Sequence, residues 1–292
     1  MALIGQYRKK IKSAKNIAKI TKAMQLVAAS KMKRAQVMAS SGKEYAGGII
    51  DLSNLLSKHL NKEIHPLIGD AKDPNAKTLV VLIAPEKGLC GGLVTNLSRY
   101  LTLVISQEGK NCEFIVVGNK AKQAARRMGL EPIAEFELGL SYPKYEIVPP
   151  IANLVEDKFM SGDVKKVVVV FAEFINTMLQ TPQSKTLLPL QLTSQNVDSV
   201  ETNIENKKDY IFEPSAKEIV NPLLEMYLEV EIYQLLLEAY ASEQSARMVA
   251  MKNATDNATG LIDELTVEFN KVRQAAITNE ILDIGNANMI LS

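Results

Sequence analysis

Over residues 3–45, apolar positions recur at steps of three or four: Ile4, Tyr7, Ile11, Ala14, Ile17, Ile20, Met24 and Val27, with lysines filling the faces between. That spacing predicts one long helix with a single apolar stripe as its buried face. Gly42, Gly47 and Gly48 are expected to loosen it before 49–60 resumes the helical pattern. A second helical pattern opens at Ser215, where Glu218 stands at capping-box spacing, and runs almost to the end. Within it Ala254, Ala258, Ile262, Leu265, Phe269, Val272 and Ala276 step by threes and fours. A seam of that period is what a packed helix pair needs.

The pattern between these helices is different. Continuous apolar runs at 78–84, 112–118 and 166–175 predict buried strands, and 187–192 predicts an edge strand. Helical patterns at 93–107, at 120–128 with Gly129 as C-cap, and at 151–160 behind Pro149-Pro150 separate them. Strands without polar alternation, spaced by helices, predict a mainly parallel sheet covered on both faces. Residues 63–76 read as a boundary loop and 193–209 as a polar loop.

Length then decides the architecture. A helix over 215–284 has 70 residues, roughly 105 Å at the helical rise. An α/β domain over 77–212 has 136 residues, for which a diameter of about 35–40 Å is expected. Such a helix outreaches the domain and needs a partner for its stripe. The first helix is the one of comparable length, so the expected fold is α/β plus a long coiled coil. Residues 1–60 and 213–292 are expected to form an antiparallel, protruding shaft, and 77–212 a globular foot.

Charge supports that pairing. The net charge of +1 hides eleven Lys and Arg up to Lys43, ahead of the first acid, Glu44. Residues 213–292 carry 13 acids and 5 bases. Exposed ion pairs add only a few tenths of a kcal/mol each, so the apolar seam must carry the stability while charge sets orientation. A basic helix also suits nucleic acid, but aromatics are sparse and no second helix stands at helix-turn-helix spacing. No apolar run approaches 18 residues, so no bilayer-spanning helix is expected. MALIGQYRKK lacks the pattern of a secretory signal.

Candidate chemistry is thin. KGLCGG at 87–92 follows the first strand and precedes a helix, where α/β proteins often hold phosphate. GxGxxG and GxxxxGK[ST] are both absent, and Cys90 has no evident base, because His59 and His65 precede the domain. A tight turn around a small buried Cys90 is favoured over a nucleophile. Cys90 and Cys112 make no disulfide framework, and with the two histidines they show no metal spacing.

Residues 11–35 (IKSAKNIAKITKAMQLVAASKMKRA), GLCGG at 88–92, ASEQSARMVAMKNATDN at 241–257 and RQAAITNE at 273–280 resemble, in order, the γ subunits of F-type ATP synthases. The resemblance implies a helical shaft with a Rossmann-like foot, acting as a non-catalytic rotor with no cofactor. It implies partners in the α and β subunits of the catalytic ring, the ε subunit and the membrane c-ring, and none in nucleic acid. It implies contacts to β from Lys9, Lys10, Met24 and Lys87, the last two near acidic loops, and polar contacts to β from Arg247, Gln274, Thr278 and Glu280, with the tip from Ile281 turning in an apolar sleeve. Pro85-Glu86 and Val94 depart from the family's usual Ser/Thr-Asp and Asn, and ILDIGNANMILS departs from its usual small-residue end. With no transit peptide and no cysteine-bearing insert, a bacterial protein at the cytoplasmic face of the plasma membrane is expected.

Overall fold

The computed structural model describes residues 2–59, 67–68, 76–109, 111–139, 141–190 and 216–291. Helix α1 spans Ala2–His59, and α5 spans Ala216–Leu291. Between them run β1 (Lys77–Ile83), α2 (Leu93–Glu108), β2 (Cys112–Val117), α3 (Asn119–Arg127), β3 (Pro132–Phe136), α4 (Val148–Met160), β4 (Val164–Phe174) and β5 (Gln180–Leu188). The chain divides into two compact units, Met1–Ala29 with Arg247–Ser292, and Ser30–Ala246.

In the Ser30–Ala246 unit, five strands lie in the order β3-β2-β1-β4-β5. The first four are parallel, with Leu82 opposite Val116 and Val170, while β5 returns antiparallel along β4. Valine and isoleucine crowd the central strands because both faces are covered. One face buries Leu79, Val81, Ile115 and Val169 against α4 and the Leu224–Ala239 stretch of α5. The other buries Val80, Leu82, Val116 and Val168 against α2 and α3. Tyr145 donates to the Glu229 carboxylate and meets Tyr233 edge-on at 5.6 Å, a further tie to α5.

Several sequence expectations are corrected. Helix α4 starts before Pro149-Pro150, not behind them; proline suits the first turn, where its missing N–H has no helical partner. The edge strand is Gln180–Leu188 rather than 187–192. Its polar residues hid it, because an antiparallel edge strand buries less. β3, short and alternating in burial, was not foreseen at all. Helix α1 runs unbroken through Gly42, Gly47 and Gly48. At Gly42 the end of the Gln234 side chain lies against the glycine, where a Cβ would displace it. His65, most of 63–76, 193–209 and the Ser215 cap lie outside the described residues.

The two long helices are antiparallel. In the Ser30–Ala246 unit Gly42 faces Gln234, Ala35 clusters with Tyr240 and Ala241, and Ile49 clusters with Val230. Seven residues forward from Ala35 to Gly42 match seven back from Ala241 to Gln234. In the other unit, Thr21 pairs with Thr255.

The expected stripe on α1 holds as far as Ala14 and, past it, at Met24, which is half-buried. Beyond it the inward positions are Ala18, Thr21, Ala28 and Ala35, while Ile17, Ile20 and Val27 are exposed. Small side chains let two helix backbones approach closely, and the larger apolar ones face outward. On α5 the expected seam is inward as read, with Ala258 buried and Ala254, Ile262, Leu265, Phe269, Val272 and Ala276 half-buried; Met251, before its start, is buried too.

Candidate partner interface

The loop after β1 is built from both ends. Pro85 and Cys90 are buried, and Cys90 packs in the α2/α3-side cluster, the environment of a small core residue rather than of a nucleophile. Glu86 Oε2 accepts from Asn119 N at 3.2 Å, and its Oε1 accepts from Leu138 N at 2.6 Å. This is what the glutamate in the unusual Pro-Glu pair does: it ties the loop to the start of α3 and the end of β3. Val94, the other departure, packs on the cluster that holds Cys90. Gly118 adds a fixed point, with φ +94 and its amide donating to Phe136 O at 2.8 Å. Lys87 stands exposed on the loop between these anchors.

A strand order that reverses beside β1 leaves a crevice between the loops after β1 and β4, the place where open α/β sheets take their ligands. Here α5 fills it. Residues 241–246 are all buried. Tyr240 and Ala241 pack with Phe174, Ser245 Oγ donates to Thr177 O at 2.9 Å, and Ala246 joins the cluster of Cys90. The chain's own helix thus occupies the position a nucleotide would need. A cavity of about 480 Å³ lies between α1, α5 and the β4–β5 pair, walled by Phe174, Leu235 and Ala241 and crossed by the Lys185–Glu231 ion pair. Among the described residues its lining holds one glycine, Gly47, which is helical. Among the described residues, no group of three or more His, Cys, Asp or Glu is arranged to hold a metal. No described helix is long and apolar enough to cross a membrane.

Of the expected contact residues, Lys87 belongs to the Ser30–Ala246 unit, and Lys9, Lys10, Met24, Arg247, Gln274, Thr278 and Glu280 to the other. Lys9, Lys10, Gln274, Thr278 and Glu280 are exposed, whereas Met24 and Arg247 are half-buried. The Lys10 ammonium lies 5.9 Å from the centroid of the Tyr7 ring. With Thr21 against Thr255, the antiparallel course sets Met24 and Arg247 toward one end of that unit. Lys9, Lys10, Gln274, Thr278 and Glu280 lie toward the other. These residues are strung along two helices, as suits a surface read by a large partner rather than a small ligand.

Two features escaped the sequence. Leu89 is 64% exposed and holds φ +62. The turn between β4 and β5 exposes Met178 and Leu179. The positive φ of a leucine has no sequence signature, and the turn was masked by the missed strand that follows it.

The sequence matches the family described as ATP synthase over residues 4–288. The ATP synthase gamma chain of Dehalococcoides mccartyi is 40% identical over 287 residues, spanning 97% of each chain. That of Chloroflexus aurantiacus is 36% identical over 291 residues, spanning 98% of each. Among solved structures, a chain of the Euglena gracilis mitochondrial ATP synthase (OSCP, F1 and c-ring, rotational state 3) superposes with a TM-score of 0.67 at 19% identity, covering 99% of this chain and 95% of that one. A chain of the Tetrahymena thermophila mitochondrial ATP synthase central stalk and c-ring gives 0.58 at 24% identity, covering 80% and 99%. At those identities the superpositions speak to the fold.

Proposed function

The chain belongs to the ATP synthase gamma chain family, and from that premise we propose that it is the central-stalk rotor of an F-type ATP synthase. It is not itself catalytic: it couples proton flow through the membrane sector to ATP synthesis or hydrolysis at the β subunits by turning. The observation that carries this reading is the antiparallel pair of long helices in a chain whose α/β crevice is filled by its own α5.

The mechanism follows from symmetry. One asymmetric shaft inside a ring of three catalytic sites cannot contact all three alike, so each β is biased toward a different conformation. Turning the shaft moves that bias from site to site. Shaft angle and nucleotide affinity are linked, and the linkage runs both ways. Proton flow therefore drives ATP release, and hydrolysis turns the shaft backwards. The partners are the α and β subunits of the ring, the ε subunit and the c-ring. Lys9, Lys10 and Lys87 meet acidic loops of β, Met24 lies beside them, and Arg247, Gln274, Thr278 and Glu280 make polar contacts to β. The chain reaches the membrane through its complex, at the cytoplasmic face of a bacterial plasma membrane.

Mixing the purified chain with α and β subunits tests this. One copy per three αβ pairs, with ATPase raised above that of the ring alone, is expected. Failure to join the ring, or ATP hydrolysis by the isolated chain, overturns it.

A further inference from the structure

Four consecutive polar residues of α5, Ser242, Glu243, Gln244 and Ser245, are buried where the helix fills the crevice beside β1 and β4. Successive helical residues turn by about 100°, so these four face every side of α5. The contacts around them are apolar. Tyr240 and Ala241 pack with Ala35 and Phe174, and Ala246 packs in the cluster of Cys90. Buried polar groups cost free energy unless they are bonded. A seat that had only to hold the helix down would be more stable if it were apolar throughout.

The polar stretch is tied to the sheet at Ser245. Its Oγ donates to Thr177 O at 2.9 Å and accepts from Gln180 Nε2 at 3.3 Å. The same Nε2 donates to Asn176 O and Thr177 O, each at 3.1 Å. Gln180 is the first residue of β5 and pairs with Phe174 of β4, so the bond runs from sheet to helix. The turn that presents these carbonyls is itself braced, since Asn176 Oδ1 accepts from Met178 N and Leu179 N, both at 2.9 Å. Next to Ser245, Gln244 Nε2 donates to Glu243 Oε1 at 3.1 Å.

Apolar packing and hydrogen bonds resist different motions. Packing is non-directional: it opposes lifting α5 out of the crevice but does little against rolling it about its own axis. A hydrogen bond weakens steeply once it is bent. The Cα atoms lie about 2.3 Å from the helix axis, so a roll of about 20° moves a Cα by roughly 0.8 Å and a side-chain tip by more. That breaks the chain from Thr177 through Ser245 to Gln180 and still leaves Tyr240, Ala241 and Ala246 in apolar surroundings.

We propose that Gln180 and Ser245 are positioning residues for rotary coupling: with Thr177 O they fix the angle of α5 about its own axis where it is seated in the foot. This rests on the stalk reading above, in which the foot and α5 must turn as one. The helix runs on unbroken to Leu291, so any roll in the seat is angle lost between the foot and the three catalytic sites.

Dwell angles read this directly. The chain is assembled with a surface-fixed α3β3 ring, given ATP and followed through a bead on the exposed face of α2, so that the seat lies between bead and ring. Gln180→Met keeps the length of the side chain and removes its amide; Ser245→Ala removes the hydroxyl and suits a helix. Each is expected to keep the wild-type number of dwells per revolution, with the angular spread at each dwell widened about twofold. Two controls keep the wild-type spread. Tyr100→Phe removes a bond within the foot, to Ser184 Oγ at 3.1 Å. Ile115→Val shortens a buried side chain of β2 and lowers the melting temperature. Wild-type spread in either Gln180→Met or Ser245→Ala, whatever its melting temperature, overturns the positioning role and leaves the stalk reading intact. Equal widening in Ile115→Val does the same, because it makes the effect one of stability alone. A wild-type bead that never turns overturns both readings.

Discussion

Thr21 on α1 and Thr255 on α5 meet hydroxyl to hydroxyl at 2.7 Å. Each also reaches back into its own helix, Thr21 to Ile17 O at 3.0 Å and Thr255 to Met251 O at 2.8 Å. With a further contact from Thr21 to Ala18 O at 3.2 Å, two hydroxyl hydrogens serve four contacts, so the link between the helices lives by sharing. In a seam otherwise made of apolar side chains, one polar pair is a register mark: slipping either helix by a turn leaves a hydroxyl facing apolar groups. The helices approach closely enough for this because α1 presents Ala18, Thr21 and Ala28 to the seam, and the same choice turns Ile17, Ile20 and Val27 outward.

That arrangement predicts an inversion of the usual rule for apolar residues. Ala35, fully buried against Tyr240 and Ala241, should tolerate enlargement badly: Ala35→Leu should cost about 1–3 kcal/mol through overpacking. Ile20→Ser, at a residue 59% exposed, should change stability by no more than about 0.5 kcal/mol. Urea unfolding of the two variants gives both numbers.

Gly118→Ala should be among the most damaging single-methyl additions. The new Cβ would run into the Ala84 carbonyl oxygen, at a φ of +94 that alanine resists. A loss of about 3 kcal/mol is expected, read as a lowered urea midpoint. Because Glu86 binds Asn119 N and Leu138 N from the same loop, the variant should also weaken ring-stimulated ATPase through Lys87.

How much of this the sequence disclosed depends on residue size. The α5 seam is legible because Ile262, Leu265, Phe269 and Val272 are both large and inward. The α1 seam is misleading because hydrophobicity follows Ile17 and Ile20, whereas backbone proximity selects Ala18, Thr21 and Ala28. The parallel strands announce themselves by burial on two faces. β5 does not, since Gln183, Ser184 and Lys185 lie exposed. Of the interface, lysines on a helix can be counted from sequence, but a left-handed Leu89 and a hairpin tip carrying Met178 emerge only once the backbone is placed.

Acid should erode the foot through Glu113. Lys77 Nζ lies 2.8 Å and Lys158 Nζ 3.5 Å from its carboxylate. The Lys77 hydrogen bond, opposed by burial and helped by Lys158, holds its pKa below the usual glutamate range. A carboxyl with a depressed folded pKa binds protons less readily folded than unfolded. Its stabilisation is therefore intact above about pH 4.3 and is lost as pH falls below that through the folded value. Lys77→Met should lower stability at pH 7 and flatten the acid limb, so that the two proteins converge at low pH. A wild-type-like slope in the variant contradicts the assignment.

Charge on the shaft and loop should govern coupling more than binding of nucleotide. Reversing Lys9, Lys10 and Lys87 together is expected to lower the protons pumped per ATP hydrolysed, measured in reconstituted vesicles, while nucleotide affinity at β stays near wild type. An unchanged coupling ratio removes the electrostatic part of the mechanism.

Rotation is the most direct test. With Cys112→Ser to clear the half-buried thiol and Gln107→Cys on the exposed face of α2 to carry a bead, the chain is assembled with a surface-fixed α3β3 ring and given ATP. The bead is predicted to turn in one direction with three equally spaced dwells per revolution, one for each β. A bead that stays still while the ring hydrolyses ATP contradicts the rotor account.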